Sequence, residues 1–148
     1  MTKSHYGMLA LNLGLSGIVM YFAMYAMIDT AADLYLNLNN LYMVAMMVAP
    51  MGVLMLLLMG SMYRNKRLNL ALHAGFVAMF ALAFWLTRTQ TPIGDEQFLR
   101  SMIPHHSGAI LMCREASIAD PEIVALCGNI ERSQRAEIDQ MNRILARY

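Results

Sequence analysis

Charged side chains are scarce in this chain, and their scarcity excludes an ordinary soluble domain. Asp, Glu, Lys and Arg make up 14% of the 148 residues, whereas hydrophobic residues make up 58%. Most of the charged residues lie in the stretch 95–148, and the formal net charge is only +1. Because there is no excess of positive charge and no basic stripe with interleaved aromatic side chains, the sequence predicts no nucleic-acid partner.

Other absences narrow the class further. Only two cysteines are present, too few to assign a redox compartment. The Glu-x-x-His pairs that build a ferritin-like di-iron centre are missing, so the protein is not expected to be an enzyme. Methionine, by contrast, occurs sixteen times. Its adaptable side chain packs well in membranes and cores, and its thioether is also a ligand for copper(I).

Three long apolar runs predict three membrane-spanning helices. Each run lacks Asp, Glu, Lys and Arg and is close to the twenty residues that a helix needs to cross a bilayer. The first run is interpreted as a retained anchor, because it is longer than the core of a cleaved signal sequence. The predicted spans are residues 8–28, 41–62 and 68–87.

Basic residues are missing from one of the two loops between these runs, and this asymmetry predicts the orientation. Residues 29–40 contain neither lysine nor arginine, whereas the loop 64–67 contains three such residues. The positive-inside rule places the basic loop and the amino terminus in the cytoplasm, and the chain after Arg88 outside. Residues 1–90 are thus predicted to be a membrane domain in the lipid of a bacterial inner membrane, with residues 95–148 in the periplasm.

Methionines recur along the second predicted span. A spacing of four residues keeps them on one slowly drifting face of a helix. A ladder of thioethers suits the passage of copper(I), but no predicted span has an ionisable side chain deep inside it, as many transport routes do. We favour a packing surface over a transport route for this stripe, and both interpretations stay open. Its members are Met43, Met47, Met51, Met55 and Met59.

Residues 95–148 are predicted to form two helices joined by a short turn. Asp95 is the predicted N-cap of the first helix, which extends to about Ala119. The run 120–122 (Asp-Pro-Glu) signals a new start, and the second helix continues almost to Tyr148. Helices joined by so short a turn are antiparallel, so the numbers of facing residues sum to about 240. The predicted pairs are Cys113 with Cys127, Ile110 with Ile130, His106 with Gln134, Ile103 with Glu137 and Leu99 with Met141.

Soft metal ligands are concentrated in twelve positions of the first of these helices. Imidazole, thioether and thiolate groups favour copper(I), with zinc as the second choice. The small residues 107–109 are interpreted as leaving room between the donors, and Pro104 is expected to kink the helix. Each residue taken alone fits an ordinary helix core, but the set predicts a metal site. Its donors in this stretch are Met102, His105, His106, Met112 and Cys113.

Further donors are predicted on the second helix. The buried seam predicted for it follows alternating steps of four and three residues and supplies Cys127, Glu137 and Met141 as donors. The members of this seam are Ile123, Cys127, Ile130, Gln134, Glu137, Met141, Ile144 and Tyr148. Glu137 is interpreted as a ligand or as the acceptor of an imidazole N–H. Cys113 and Cys127 have three interpretations: a disulfide, which a periplasmic location favours, a pair of metal-binding thiolates, or two buried thiols.

Two segments of this region resemble a known family. FLRSMIPHHSGAILMCREA (98–116) and SQRAEIDQM (133–141) are similar to the bacterial domain-of-unknown-function family 305. Members carry Met-Ile-Pro-His-His on one helix and Gln-x-x-Glu-Ile-x-x-Met on the next. Cys113 and Cys127 are not part of that pattern. The matching residues are Met102, Pro104, His105, His106, Met112, Gln134, Glu137 and Met141.

The resemblance implies a periplasmic, ferritin-like helical bundle connected with copper binding and tolerance. A lone hairpin does not easily bury two donor-bearing faces. We therefore expect an all-α protein whose three membrane helices precede a hairpin that completes a four-helix bundle with a second copy or a membrane-protein partner. One hypothesis is a membrane-anchored copper-binding protein for copper tolerance, storage or delivery. The other is a small accessory subunit of a larger respiratory or copper-enzyme complex, with the hairpin as its docking module.

The predicted orientation can be tested with a reporter that is active only in the periplasm. Fused after Tyr148, this reporter should be active, and inserted into the loop 64–67 it should be inactive, because basic loops stay in the cytoplasm. A fusion after Tyr148 that works only with a cytoplasmic reporter would overturn the orientation.

Overall fold

The protein is built from α-helices alone over residues 2–148, the part that the computed structural model describes, with side chains from His5 onward. This result agrees with the all-α fold that the sequence predicts. Three of the helices are long and apolar enough to cross a membrane. The helices are α1 (Thr2–Ala23), α2 (Leu38–Leu58), α3 (Lys66–Thr89), α4 (Asp95–Glu115) and α5 (Pro121–Leu145), with 3₁₀ turns at Met24–Met27 and Ala31–Asp33.

The start of α5 is as predicted, and the start of α4 differs. Asp120 caps α5 by accepting a hydrogen bond from the backbone N–H of Glu122 at 2.8 Å, and Pro121 occupies the first helical position. Gly94, rather than Asp95, is the cap residue of α4. Asp95 is the first residue inside the helix, where its negative charge interacts favourably with the positive end of the helix dipole. Helix α4 also ends one turn earlier than predicted and continues through Pro104 without a break.

One compact unit of the chain, the membrane unit, comprises the residues up to Ala23 together with Asn39–Pro92. Helices α2 and α3 approach closely where Gly52 faces Phe76. A Cβ atom at Gly52 would lie only 2.5–2.8 Å from the Phe76 ring, so a side chain there would push the helices apart. The buried core of this unit is Leu9, Leu13, Leu56 and Tyr63.

The methionine stripe of α2 is divided between two environments. Met51 and Met55 pack against the core of the membrane unit. Met43, Met47 and Met59 are instead 39–40% exposed. A step of four residues turns a helix by about 400°, so a stripe with this spacing drifts around the axis over several turns. Part of the stripe is therefore interior, and part lies on the outside of the unit.

The second compact unit, the hairpin unit, comprises Met24–Leu38 and Ile93–Tyr148. Met24–Leu38 falls within the predicted membrane domain, whereas its contacts place it with α4 and α5. We call Met24–Leu38 the connecting segment. It belongs to the hairpin unit because its polar groups form hydrogen bonds and ion pairs with the hairpin helices.

The hairpin helices are antiparallel, and their register is partly as predicted. Cys113 and Cys127 face each other in a disulfide with a Cα–Cα distance of 5.3 Å. The predicted pairing of His106 with Gln134 is wrong, because His106 meets Glu137. The most buried residue of α5 is Ile138, which the predicted seam omitted. Ile138 forms the hairpin core with Ile103 and Ile110.

Two buried aspartates fasten the connecting segment to the hairpin. The side chains of Asp29 and Asp33 are 3–4% exposed. The Ser107 hydroxyl accepts a hydrogen bond from the Asp29 backbone N–H (2.7 Å) and donates one to the Asp33 carboxylate (2.6 Å). Asp29 also forms ion pairs with Arg114 of α4 and Arg135 of α5. The connecting segment is thus a third element of the hairpin unit.

The small residues of α4 serve this attachment. A Cβ atom at Gly108 would lie 3.3 Å from the backbone oxygen of Met27, and Ser107 is completely buried beneath the connecting segment. The small size of Ser107 and Gly108 admits the backbone of the connecting segment, a role that the spacing of the donors did not predict.

We expect Ser107→Ala to loosen the connecting segment. The substitution removes both hydrogen bonds and leaves the backbone N–H of Asp29 without its acceptor, which costs about 1–3 kcal/mol, whereas the Asp33 carboxylate keeps its contacts with Thr30 and Arg135. The unfolding midpoint should fall, and amide hydrogen exchange over residues 24–38 should accelerate. Ser133→Ala is the matched control, because the Ser133 hydroxyl is exposed and bonds only to a carbonyl of its own helix. Equal behaviour of the two variants would contradict this account.

Candidate metal centre

His106 is the one buried histidine of α4, and both of its ring nitrogens have partners. Nδ1 lies 2.9 Å from the backbone oxygen of Met102, one turn earlier in the same helix. Nε2 lies 2.8 Å from Oε2 of Glu137 on α5. The imidazole therefore bridges the two helices beside the core residue Ile103, and its orientation is fixed at both ends.

The hydrogen bond to the Met102 carbonyl orients the His106 ring so that Nε2 faces Glu137. A carbonyl oxygen only accepts, so the contact assigns a hydrogen to Nδ1 and directs Nε2 at the carboxylate. A carboxylate oxygen also accepts, so the 2.8 Å contact requires a second hydrogen on Nε2, which a metal ion bound at this nitrogen would replace. Two ligand atoms that each bind one ion at about 2.0–2.2 Å lie roughly 3.0–3.4 Å apart. The observed distance of 2.8 Å is slightly shorter, and the Glu137 side chain is half-exposed, which leaves room for the small movement required. The pair thus fits two donors of one ion.

His105 stands next to this pair on the outer side of α4. It is exposed, and its ring centroid lies 6.0 Å from that of His106, with the ring planes at 64°. Two imidazoles that share an ion at about 2 Å have centroids roughly 5–6 Å apart. His105 does not converge with His106 and Glu137 in this structure, but its exposed ring is free to turn toward them.

The predicted methionine ligands fall into two groups. Met102 and Met141 are partly buried, with Met102 one turn before His106 and Met141 packed on the hairpin core. Met112 is 53% exposed and lies six residues beyond His106, about 9 Å further along the helix axis. Met102 and Met141 are thus candidate ligands beside His106, whereas Met112 is not part of the same centre.

Cys113 and Cys127 are not candidate metal ligands in the oxidised protein. The structure has the disulfide, the first of the three interpretations of Cys113 and Cys127, and a bonded pair of sulfurs offers no thiolate to a metal. Both residues also lie beyond Met112, near the turn between the helices. Their role in this structure is to close the end of the hairpin.

The remaining donors define which metal would fit. Among the side chains described from His5 onward, no three His, Cys, Asp or Glu groups converge as a metal site. A centre at His106 therefore needs thioethers in addition to imidazole and carboxylate. Such a mixture suits copper(I), whereas magnesium and calcium require oxygen ligands.

Sequence reasoning missed the polar network that holds α4 beside the candidate centre. Ser107, the neighbour of His106, contacts the connecting segment, and Arg114 pairs with Asp29 from the same segment. The hydrogen bond to Glu115 and the attraction of Asp29 raise the pKa of Arg114, which keeps it a cation. The available signal was two aspartates four residues apart in a short loop, but nothing local indicated which helix they would meet.

The two adjacent histidines should differ in their effect on stability. His106→Ala removes the bridge between α4 and α5, and we expect the free energy of unfolding of the metal-free protein to fall by about 1–3 kcal/mol. His105→Ala changes an exposed side chain and should alter it by no more than about 0.5 kcal/mol. Denaturant titration of the full-length protein in detergent, followed by circular dichroism, measures both. A larger loss for His105→Ala would contradict the assigned positions.

Comparison with known proteins extends the resemblance found in the sequence. The family described as "Domain of unknown function (DUF305)" matches residues 74–145, which include most of α3 and all of α4 and α5. An uncharacterized protein of Acanthamoeba polyphaga mimivirus is 38% identical over 119 residues, covering 79% of this chain and 76% of that protein. A match of this length has to include α2, α3 and α4, so the similarity reaches well into the membrane unit. No solved structure matches the chain. The protein belongs to the DUF305 family.

Proposed function

We propose that this protein is a membrane-anchored copper-binding protein whose hairpin unit holds copper(I) for copper tolerance, storage or delivery. One observation carries the proposal: the Met102 carbonyl fixes the His106 ring so that Nε2 points at Glu137, across the two helices. Orientation of a ligand histidine by a hydrogen bond from its other nitrogen is a general feature of metal sites.

Each donor has a distinct part in the proposed centre. His106 and His105 supply nitrogen, and Met102 and Met141 supply the thioethers that favour copper(I) over zinc. Glu137 accepts from His106 in the absence of metal and becomes a ligand or a neighbouring acceptor in its presence. Nitrogen and sulfur outnumber oxygen in this set, whereas magnesium and calcium need several oxygen ligands.

The helices α1, α2 and α3 support the membrane location in this proposal. All three have the length and apolar composition of membrane spans. The basic loop after α2 places the amino terminus in the cytoplasm by the positive-inside rule. The hairpin unit then lies in the periplasm of a bacterium, on the side from which external copper arrives.

Exposed apolar side chains near the α4–α5 turn support a partner for the hairpin. Four large apolar residues there are 47–55% exposed, more than an isolated hairpin in water would favour. A second copy that covers them would complete a four-helix bundle. The same surface favours the alternative function, an accessory subunit docked on a larger membrane complex. Co-isolation of stoichiometric large subunits would support that alternative. The residues are Met112, Ile123, Val124 and Leu126.

The copper proposal is tested by titrating the full-length protein in detergent with copper(I) against a competing chelator. The double variant His105→Ala/His106→Ala should lose one equivalent of bound copper(I). Met102→Ala should weaken copper(I) binding about tenfold or more, with a smaller effect on zinc, because it removes a soft ligand. Met112→Ala is the matched control and should leave the affinity unchanged.

Lower pH should also weaken binding at this centre, because protons compete for the imidazole nitrogens. The same titration at successively lower pH measures the loss. If the double histidine variant keeps every equivalent of copper(I) at full affinity, the motif is structural and the proposed function fails.

A further inference from the structure

A second histidine of this chain has the arrangement found at His106, but it lies in the membrane unit. Nδ1 of His73, on α3, lies 2.7 Å from the backbone oxygen of Asn69, one turn earlier. Because a carbonyl only accepts, Nδ1 carries the hydrogen, and the lone pair of the neutral ring is on Nε2. This Nε2 is buried and has no hydrogen-bond partner among residues 5–148, whose side chains the structure describes.

An unpartnered nitrogen in this position requires an explanation. A buried acceptor without a partner costs about 1–3 kcal/mol, and an unseen ion or water is the usual reason for its presence. His73 lies in the first third of α3 rather than deep in the span, and ionisable residues of membrane helices often belong to functional sites. His73 lies on the packed face of α3, since its neighbours Leu72 and Phe76 both contact the core of the membrane unit.

The register of α2 and α3 identifies the residue opposite His73. These helices are antiparallel, and Phe76 packs on Gly52. Three residues back along α3 correspond to three residues forward along α2, so His73 lies at the level of Met55. Met55 packs against the same core as Leu72 and Phe76. Met55 and His73 therefore lie at the same level of two facing helices.

Helix α1 brings another imidazole to the same end of the unit. The Tyr6 hydroxyl donates to the side-chain oxygen of Asn69 at 2.6 Å, so the first turns of α1 lie beside the turn of α3 that precedes His73. His5 is the neighbour of Tyr6, and its Nδ1 is buried without a partner among the side chains described. The first turns of α1 thus bring His5 to the end of the membrane unit that carries His73.

We propose that His73 Nε2 and the Met55 thioether bind a soft monovalent metal ion, copper(I), inside the membrane unit, with His5 as a further nitrogen donor. Imidazole and thioether are the ligands that copper(I) prefers. A single positive charge is also less costly than a double one in an apolar interior. The site shares no residue with the hairpin centre, so it can be present or absent whatever the hairpin binds.

The experiment counts copper(I) equivalents on the full-length protein in detergent, with a competing chelator. Wild type should bind two equivalents, and His73→Leu should bind one. This variant removes the unpartnered Nε2 and one hydrogen bond within α3, and leucine fills a similar space, so the fold is expected to persist. Met55→Leu should weaken the same equivalent about tenfold or more. Met47→Leu is the matched control on the exposed side of α2 and should have no effect.

The hairpin variant His105→Ala/His106→Ala separates this proposal from the proposed function. In that background one equivalent should remain, and X-ray absorption should detect both nitrogen and sulfur bound to the copper. If wild type and His73→Leu bind equal amounts of copper(I) with equal affinity, His73 Nε2 is not a copper ligand and the proposal is wrong. Equal effects of Met55→Leu and Met47→Leu would also overturn it. If the hairpin variant loses one equivalent and keeps the one that depends on His73, the membrane-unit proposal is supported.

Discussion

The pairing of Asp29 holds the hairpin unit together. A buried carboxylate is tolerated only when it is paired and hydrogen-bonded. Asp29 meets this requirement with Arg114 from α4 and Arg135 from α5, so one side chain joins the connecting segment to both helices. The arginines are half-exposed, and solvent screening reduces the strength of each pair. The main consequence is geometric, because the same contacts fix the part of α4 that carries His106 and Ser107.

Sequence patterns predicted the parts of this arrangement that depend on local signals. Hydropathy identified the three apolar helices, and the cap and proline at 120–121 set the start of α5. A constant sum of residue numbers placed Cys113 opposite Cys127. The attachment of the connecting segment was missed because Asp33 and Ser107 are 74 positions apart, and no periodicity links them. The predicted seam of α5 also omitted Ile138, which packs with Ile103 and Ile110 of α4.

His73 and His106 share one local arrangement. In both residues the Nδ1 hydrogen goes to the carbonyl one turn earlier, at 2.7 and 2.9 Å. The helix carbonyl therefore holds a hydrogen at Nδ1 and directs Nε2 away from the backbone. The sequence identified His106 through its motif, but it gave no motif for His73. Only the unsatisfied nitrogen and the register with Met55 draw attention to it.

Copper(I) binding at the hairpin should change His106 at one nitrogen only. Long-range proton–nitrogen NMR of the histidine side chains, with and without copper(I), measures this directly in the full-length protein. We predict that His106 Nδ1 keeps its hydrogen, because the Met102 carbonyl still accepts it, while the Nε2 resonance shifts as the metal replaces the contact with Glu137. Unchanged resonances of His106 in protein that has bound copper(I) would contradict the proposed centre.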